Sequence, residues 1–171
     1  MVTAERIDLV ADDYARRLAV RTRSRDSPLW ALLDEVVDPE IPVLSLWDLG
    51  VLQDVRCDDG NVVVVITPTY SGCPALHAMV DAIRTRLAAA GYSRVGIETR
   101  LNPPWSTDWL SAAARQRLYE YGIAPPAANT IACPQCGSER TEQISEFGST
   151  ACKALYRCLQ CREPFDLFKP F

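Results

Sequence analysis

The chain lacks several features that would point to whole classes of function. It has no excess of basic residues: 18 Lys and Arg stand against 22 Asp and Glu, a net charge of −4. A nucleic-acid partner usually leaves a basic patch, and none is present. The one basic cluster, Arg16, Arg17, Arg21, Arg23 and Arg25, is interleaved with Asp8, Asp12, Asp13 and Asp26 and reads as a solvated helix or arm. No apolar run approaches membrane-spanning length, so no membrane association is expected. The first residues, Met-Val-Thr-Ala-Glu-Arg-Ile-Asp, lack the basic start and apolar centre of a secretory signal, which points to a cytoplasmic protein. Histidine is nearly missing, with His77 the single copy. In a reducing compartment, seven cysteines are better read as metal ligands and thiols than as bridges.

What the sequence does have is concentrated at its end. Two Cys-x-x-Cys pairs, Cys133/Cys136 and Cys158/Cys161, are separated by residues 137–157, a connection just longer than a zinc ribbon usually has. Four thiolates from two tight turns supply the tetrahedral shell of a structural zinc ion, with the intervening chain folded back as a hairpin. The alternative, two disulfides, is disfavoured by the reducing compartment. Gly137 follows the first pair, where such a turn often needs positive φ. Cys152 in the same tail is either a spare packing thiol or an alternative ligand.

The rest of the chain, 171 residues with 48% hydrophobic composition, suits one ordinary domain plus that appendage. Residues 1–27 read as a helical arm, with Ile7, Val10, Tyr14 and Leu18 at helical spacing. Ser27 is expected to cap a helix from Pro28, with Leu29, Leu32, Leu33, Val36 and Val37 facing the core and Asp38-Pro39-Glu40-Ile41-Pro42 ending it. Leu49, Val51, Val55 and Cys57 then alternate with polar residues as one strand, and Asp58-Asp59-Gly60-Asn61 makes a hairpin turn. Val62–Ile66, apolar on both faces, reads as the central strand. A second helix with Leu76, Met79, Val80, Ile83 and Leu87 inward, a strand over 94–101, and a third helix capped by Ser106 or Thr107 follow. That last helix carries Trp109, Leu110, Ala113, Leu118 and Tyr121 on one stripe. The expectation is an α/β (α+β) fold: a small mixed sheet with helices over 28–123, an Ala/Pro linker over 124–132, and a four-cysteine zinc ribbon over 133–171.

Chemistry in the first domain centres on Cys73. With Pro74 at the first helical position, Cys73 is expected at the N-cap, where unpaired amides and the helix dipole favour a thiolate. The plainer reading is a buried structural thiol. Asp38 and Glu40, two residues apart in a turn, can bind a metal, act as acid and base, or cap backbone amides. His77 lies four residues beyond Cys73 on the same helix face, so a Cys–His catalytic pair is conceivable, but no third group to orient it is evident. Cys57, inside a strand pattern, reads as packing.

Asp38-Pro39-Glu40-Ile41-Pro42, Asp48-Leu49-Gly50-Val51-Leu52 and Thr67-Pro68-Thr69-Tyr70-Ser71-Gly72-Cys73-Pro74 together resemble the small α/β domain of SufT-type metal–sulfur cluster assembly proteins. Three further stretches narrow the likeness: Asn102-Pro103-Pro104-Trp105-Ser106-Thr107-Asp108-Trp109, Tyr121-Gly122-Ile123-Ala124-Pro125-Pro126, and residues Phe147 to Cys158. With them the chain resembles the PaaD family of bacterial phenylacetyl-CoA epoxidase subunits, from about residue 28 to the end. The resemblance implies an accessory, non-catalytic role in aerobic phenylacetate breakdown, helping to install or maintain the di-iron or iron–sulfur centres of the epoxidase. Its partners would be the oxygenase or reductase subunits. It also implies that Cys73, with Asp38 and Glu40 beside it, meets transient iron or a cluster, and that Cys133, Cys136, Cys158 and Cys161 hold zinc. Small assembly domains of this kind often pair as homodimers through a sheet edge or an arm.

Overall fold

Four valines and an isoleucine at Val62–Ile66 make a strand that can be buried on both faces, and the fold is built around it. The computed structural model describes residues 3–127 and 130–171, with side chains described from Asp13 onward. The chain divides into two compact units, Met1–Ser111 and Ala112–Phe171. Among the described residues, no helix is long and apolar enough to cross a membrane.

In the first unit, helix α1 (Thr3–Arg23) precedes helix α2 (Ser27–Leu33). Strand β1 (Leu52–Asp58) pairs antiparallel with β2 (Asn61–Ile66), helix α3 (Leu76–Ala89) crosses over, and β3 (Arg94–Thr99) pairs parallel with β2. The order β1-β2-β3 leaves β2 central. A parallel neighbour needs a crossover, and α3 supplies it, with Met79, Ile83 and Leu87 buried. The hairpin turn is where the sequence placed it: Asp59 and Gly60 both have positive φ, at 46° and 76°.

Four local expectations change. Ser27 is the first helical residue and Asp26 the cap. The regular alternation expected of β1 is broken by a bulge between Leu52 and Asp54, which lets both Leu52 and Val55 turn inward. The expected third helix is two pieces. Ser106 Oγ accepts from the Asp108 amide to cap a single 3-10 turn (Thr107–Trp109), the chain extends at Leu110, and helix α4 (Ala112–Glu120) begins the second unit. Finally, the arm is not simply solvated, because Arg17 is buried in the first unit. The arm residues Ile7 and Val10 lie outside the described side chains, whereas Leu18 is exposed.

In the second unit, Gly122 (φ +93°) ends α4, and the chain enters β4 (Ile123–Ala124). Strands β5 (Thr141–Ser145), β6 (Lys153–Cys158) and β7 (Pro164–Phe168) form an antiparallel meander, and β4 adds parallel to β7. Ala124, placed at the start of a linker by its composition, is therefore a buried strand residue; Ala128 lies outside the described residues. Ala124, Phe165 and Leu167 cluster with Cys133 and Cys158, so much of this small core is sulfur.

Candidate metal centre and thiol loop

The two Cys-x-x-Cys turns are near copies of each other. In the first, the Cys133 amide donates to the Ser138 carbonyl (2.9 Å), and the Gly137 amide returns to the Cys133 carbonyl (2.8 Å). In the second, the Cys158 amide donates to Glu163 (3.0 Å) and the Arg162 amide to Cys158 (3.1 Å). Both need a left-handed residue just after the second cysteine, and both have one: Gly137 at φ +73° and Arg162 at φ +70°. The glycine was legible in advance. The arginine was not, although laying Cys-Pro-Gln-Cys-Gly over Cys-Leu-Gln-Cys-Arg would have found it.

The first turn leads into β5, and the second joins β6 to β7. Because β5 pairs with β6 so that Thr141 faces Cys158, the two turns meet. All four sulfurs lie within 4.8 Å of one another. The shortest separations run between the turns, Cys133 to Cys161 at 3.7 Å and Cys136 to Cys158 at 3.6 Å. A disulfide would need about 2.05 Å, and none of the seven cysteines is in one. A metal held at roughly 2.3 Å from each sulfur gives tetrahedral edges of roughly 3.8 Å, so the cage fits such an ion. The amides of Gln160 (3.3 Å) and Cys161 (3.4 Å) point at Cys158 Sγ. Burial opposes ionisation of Cys158, but these two amides and the neighbouring thiols outweigh it and hold the group down at about 6. For Cys161 the Glu163 amide favours the thiolate, yet burial and the three other sulfurs push it up to about 12. Four such groups can ionise together only around a cation. Cys152 stays outside the cage, buried, with its sulfur 3.0 Å from Thr150 Oγ1.

In the first unit, Asp38 follows α2 and is only 3% exposed. Its Oδ1 accepts from the amides of Glu40 and Ile41, both at 2.8 Å, while its own amide donates to Leu44. Of the three roles open to this carboxylate, capping is the one seen. Glu40 is half-buried beside it. Cys73 lies in the loop between β2 and α3, half-exposed, but not at the N-cap. The first α-helical bond runs from Met79 to Ala75, making Ala75 the cap; the Cys73 carbonyl accepts from Leu76 in a preceding tighter turn. Cys73 is therefore a loop thiol just ahead of the helix, and the full dipole argument does not apply. His77 is exposed on α3. The only group of three or more ligand side chains that the described residues gather is the four-cysteine cage; Cys73, Asp38 and Glu40 do not form one.

Comparison with known proteins follows the same division. A model of iron–sulfur cluster assembly proteins matches residues 27–98, and one of the PaaD zinc beta ribbon domain matches residues 124–169. A protein of Escherichia coli strain K12, named as one subunit of a "Putative 1,2-phenylacetyl-CoA epoxidase", is 48% identical over 162 residues, covering 90% of this chain and 98% of its own length. The chain belongs to the PaaD family. A Porphyromonas gingivalis "Fe-S protein maturation auxiliary factor" is 35% identical over 89 residues, covering 51% of this chain and 84% of that one. A crystal structure from Bacillus anthracis, described as a domain of unknown function, superposes with a TM-score of 0.51 at 28% identity, over 61% of this chain and 95% of that chain.

Two PaaD stretches singled out in the sequence acquire physical roles. The loop Phe147–Lys153 is tied down by Asp166 of β7, which accepts from Ser149 Oγ (2.6 Å) and pairs with the buried Lys153 at 3.7 Å. A side chain at Gly148 would collide with the same carboxylate. In the first unit, Trp105 Nε1 donates to the Leu49 carbonyl at 3.1 Å, closing the Asn102–Trp109 segment onto the Asp48-Leu49-Gly50 turn.

Proposed function

We propose that this PaaD protein is an accessory subunit of a phenylacetyl-CoA epoxidase, assisting assembly or maintenance of its di-iron or iron–sulfur centres and turning over no substrate itself. The observation that carries this reading is the joining of an iron–sulfur assembly domain to a PaaD ribbon on one chain, at 48% identity to a protein named as an epoxidase subunit. Cys133, Cys136, Cys158 and Cys161 hold zinc, which supplies a structural cross-link between the two turns; the ribbon then offers a rigid face to the oxygenase or reductase subunit. Cys73 is the thiol that meets iron or a cluster as cargo. Asp38 shapes the adjoining turn, and Glu40 is the carboxylate that approaches the metal. A single half-exposed thiol makes a weak, open site, better suited to passing a metal on than to keeping it. The abundance of thiols suits the cytoplasm.

The test uses cells supplied with every epoxidase subunit. Cys73→Ala should lower epoxidase activity and the iron content of the client at least tenfold, with the chain itself still folded and present. Asp38→Asn, which keeps an oxygen for the two amides, should leave both near normal. Full activity and full iron with Cys73→Ala would remove that thiol from the function. A second reading, a general iron–sulfur maturation factor, is favoured by the maturation factor that matches the first unit. It predicts that deleting the chain lowers unrelated iron–sulfur enzymes as much as the epoxidase.

A further inference from the structure

Helix α1 docks in an unusual way. Over its described side chains, Asp13 to Arg23, the one buried residue is Arg17, at 8% exposure, while the apolar Leu18 and Val20 face solvent. The helix is held by arginines on tryptophans. Arg17 lies 4.2 Å over the Trp47 ring and 5.9 Å from that of Trp109; Arg21, one turn on, lies 4.9 Å over Trp47 and 5.2 Å over Trp30 and is gripped by both Asp34 oxygens. Three backbone carbonyls close around the Arg17 guanidinium: Trp109 at 2.7 Å, Leu52 at 3.0 Å and Trp47 at 3.1 Å. Burial pushes the group down to about 10, against the pull of Tyr14 and Asp48.

The slot is built from residues outside the arm. Its walls come from the Trp47–Leu52 turn and the Trp105–Trp109 segment, locked together by the Trp105–Leu49 hydrogen bond and by Gly50, whose missing side chain lets Trp109 come close. The slot reads the terminal nitrogens only, since Arg17 Nε is buried with no partner. It also straddles the boundary of the assembly-domain match at 27–98: Trp47 and Leu52 lie inside it, Arg17 and Trp109 outside. Leu52 takes Arg17, and its neighbour Val51 takes the amide of Thr67, the first residue of the loop to Cys73, at 2.8 Å.

We propose that Trp47, Trp109 and the carbonyls of Trp47, Leu52 and Trp109 form an arginine receptor, filled in cis by Arg17 as the latch of helix α1, and that an alkylguanidinium from a polypeptide competes for it by displacing α1. Planar stacking on an indole combined with a fan of acceptors selects a guanidinium over an ammonium, which is compact and strongly hydrated.

The probe is N-acetyl-arginine amide, with N-acetyl-lysine amide at equal ionic strength as control, on the full chain. In the native protein the arginine probe should speed amide hydrogen exchange across residues 13–23 several-fold, and the lysine probe should not. In Arg17→Ala that exchange is fast from the start. There the arginine probe should change tryptophan emission saturably and raise the thermal midpoint, whereas the native protein, its slot filled, shows no such rise. Arg17→Lys, which keeps the charge but cannot span three carbonyls, should behave like the alanine variant and serves if that one folds poorly. Equal effects of the two probes, or no difference between native and variant proteins, would overturn the receptor.

Discussion

Gly50 offers a measurement in which strain and contact can be separated. Its φ is +80°, and a Cβ there would sit 2.9 Å from Trp109 Cβ and 3.2 Å from Trp105 Nε1. Forcing an L-residue into that conformation costs about 1–2 kcal/mol, and pressing extra atoms into a packed site adds about 1–3 kcal/mol. Alanine returns about 0.5–1 kcal/mol through a less disordered unfolded chain. Gly50→Ala should therefore lose about 2–4 kcal/mol, or more than about 10 °C in a domain near 100 residues. Gly91 is the control: its φ is +92°, but nothing lies within 4 Å of an added Cβ. Only strain applies there, so Gly91→Ala should cost about 1 kcal/mol or less. All four tryptophans, Trp30, Trp47, Trp105 and Trp109, belong to the first unit, so their emission during thermal or urea unfolding follows that unit alone. If the two variants melt together, the close approach of Trp105 and Trp109 to the Gly50 turn is not what holds this region.

Removing the metal with a chelator should unfold the ribbon, because binding to such a cage supplies folding free energy on the order of 10 kcal/mol; amide exchange over 130–171 should rise while the tryptophan midpoint stays within a few degrees. Arg162→Gly should relieve about 1–2 kcal/mol of left-handed strain and give back about 0.5–1 kcal/mol in chain entropy, for a net gain of about 0.5–1 kcal/mol. Urea unfolding of the ribbon would show it, and a loss of stability would mean that the arginine side chain makes a contribution larger than its strain.

Features set by local rules were legible in the sequence. The Cys-x-x-Cys pairs, Gly137, the Asp59-Gly60 turn and the two-faced run Val62–Ile66 each follow from the chemistry of a few neighbouring residues, and the structure repeats them. Features decided at a distance were not. One extra residue at Gln53 shifts the parity of β1, and no single-strand pattern announces a bulge. The tighter turn at Cys73–Leu76 delays α3 by two residues relative to Pro74, since proline permits a helix start without fixing it. The arm shows the limit best. Periodicity placed Ile7, Val10, Tyr14 and Leu18 at helical spacing and the interleaved charges read as solvated, but the described part is anchored by Arg17 and Arg21, whose partners lie as far along the chain as Trp109. A cationic residue is discounted as core unless its stacking partners are known.

For the hand-over role proposed above, the feature that bears on Cys73 is its position in the loop ahead of α3. A thiol at a true N-cap would be steadied by helix amides and the dipole, and it would hold a metal more firmly. Placed ahead of the cap, it sits in a loop tied by Thr67 to Val51 at its start, by its own amide to the Tyr70 carbonyl (3.3 Å) within the loop, and by Leu76 to Cys73 at its end. Its fixed end is the Gly50-Val51-Leu52 stretch, where Val51 holds Thr67 and Leu52 holds Arg17. Adjacent carbonyls thus anchor the arm and the start of the thiol loop. Among the described residues the Asp48-Leu49-Gly50 sequence joins no group of ligand side chains; it leads into the backbone to which the arm and the start of the Cys73 loop are tied.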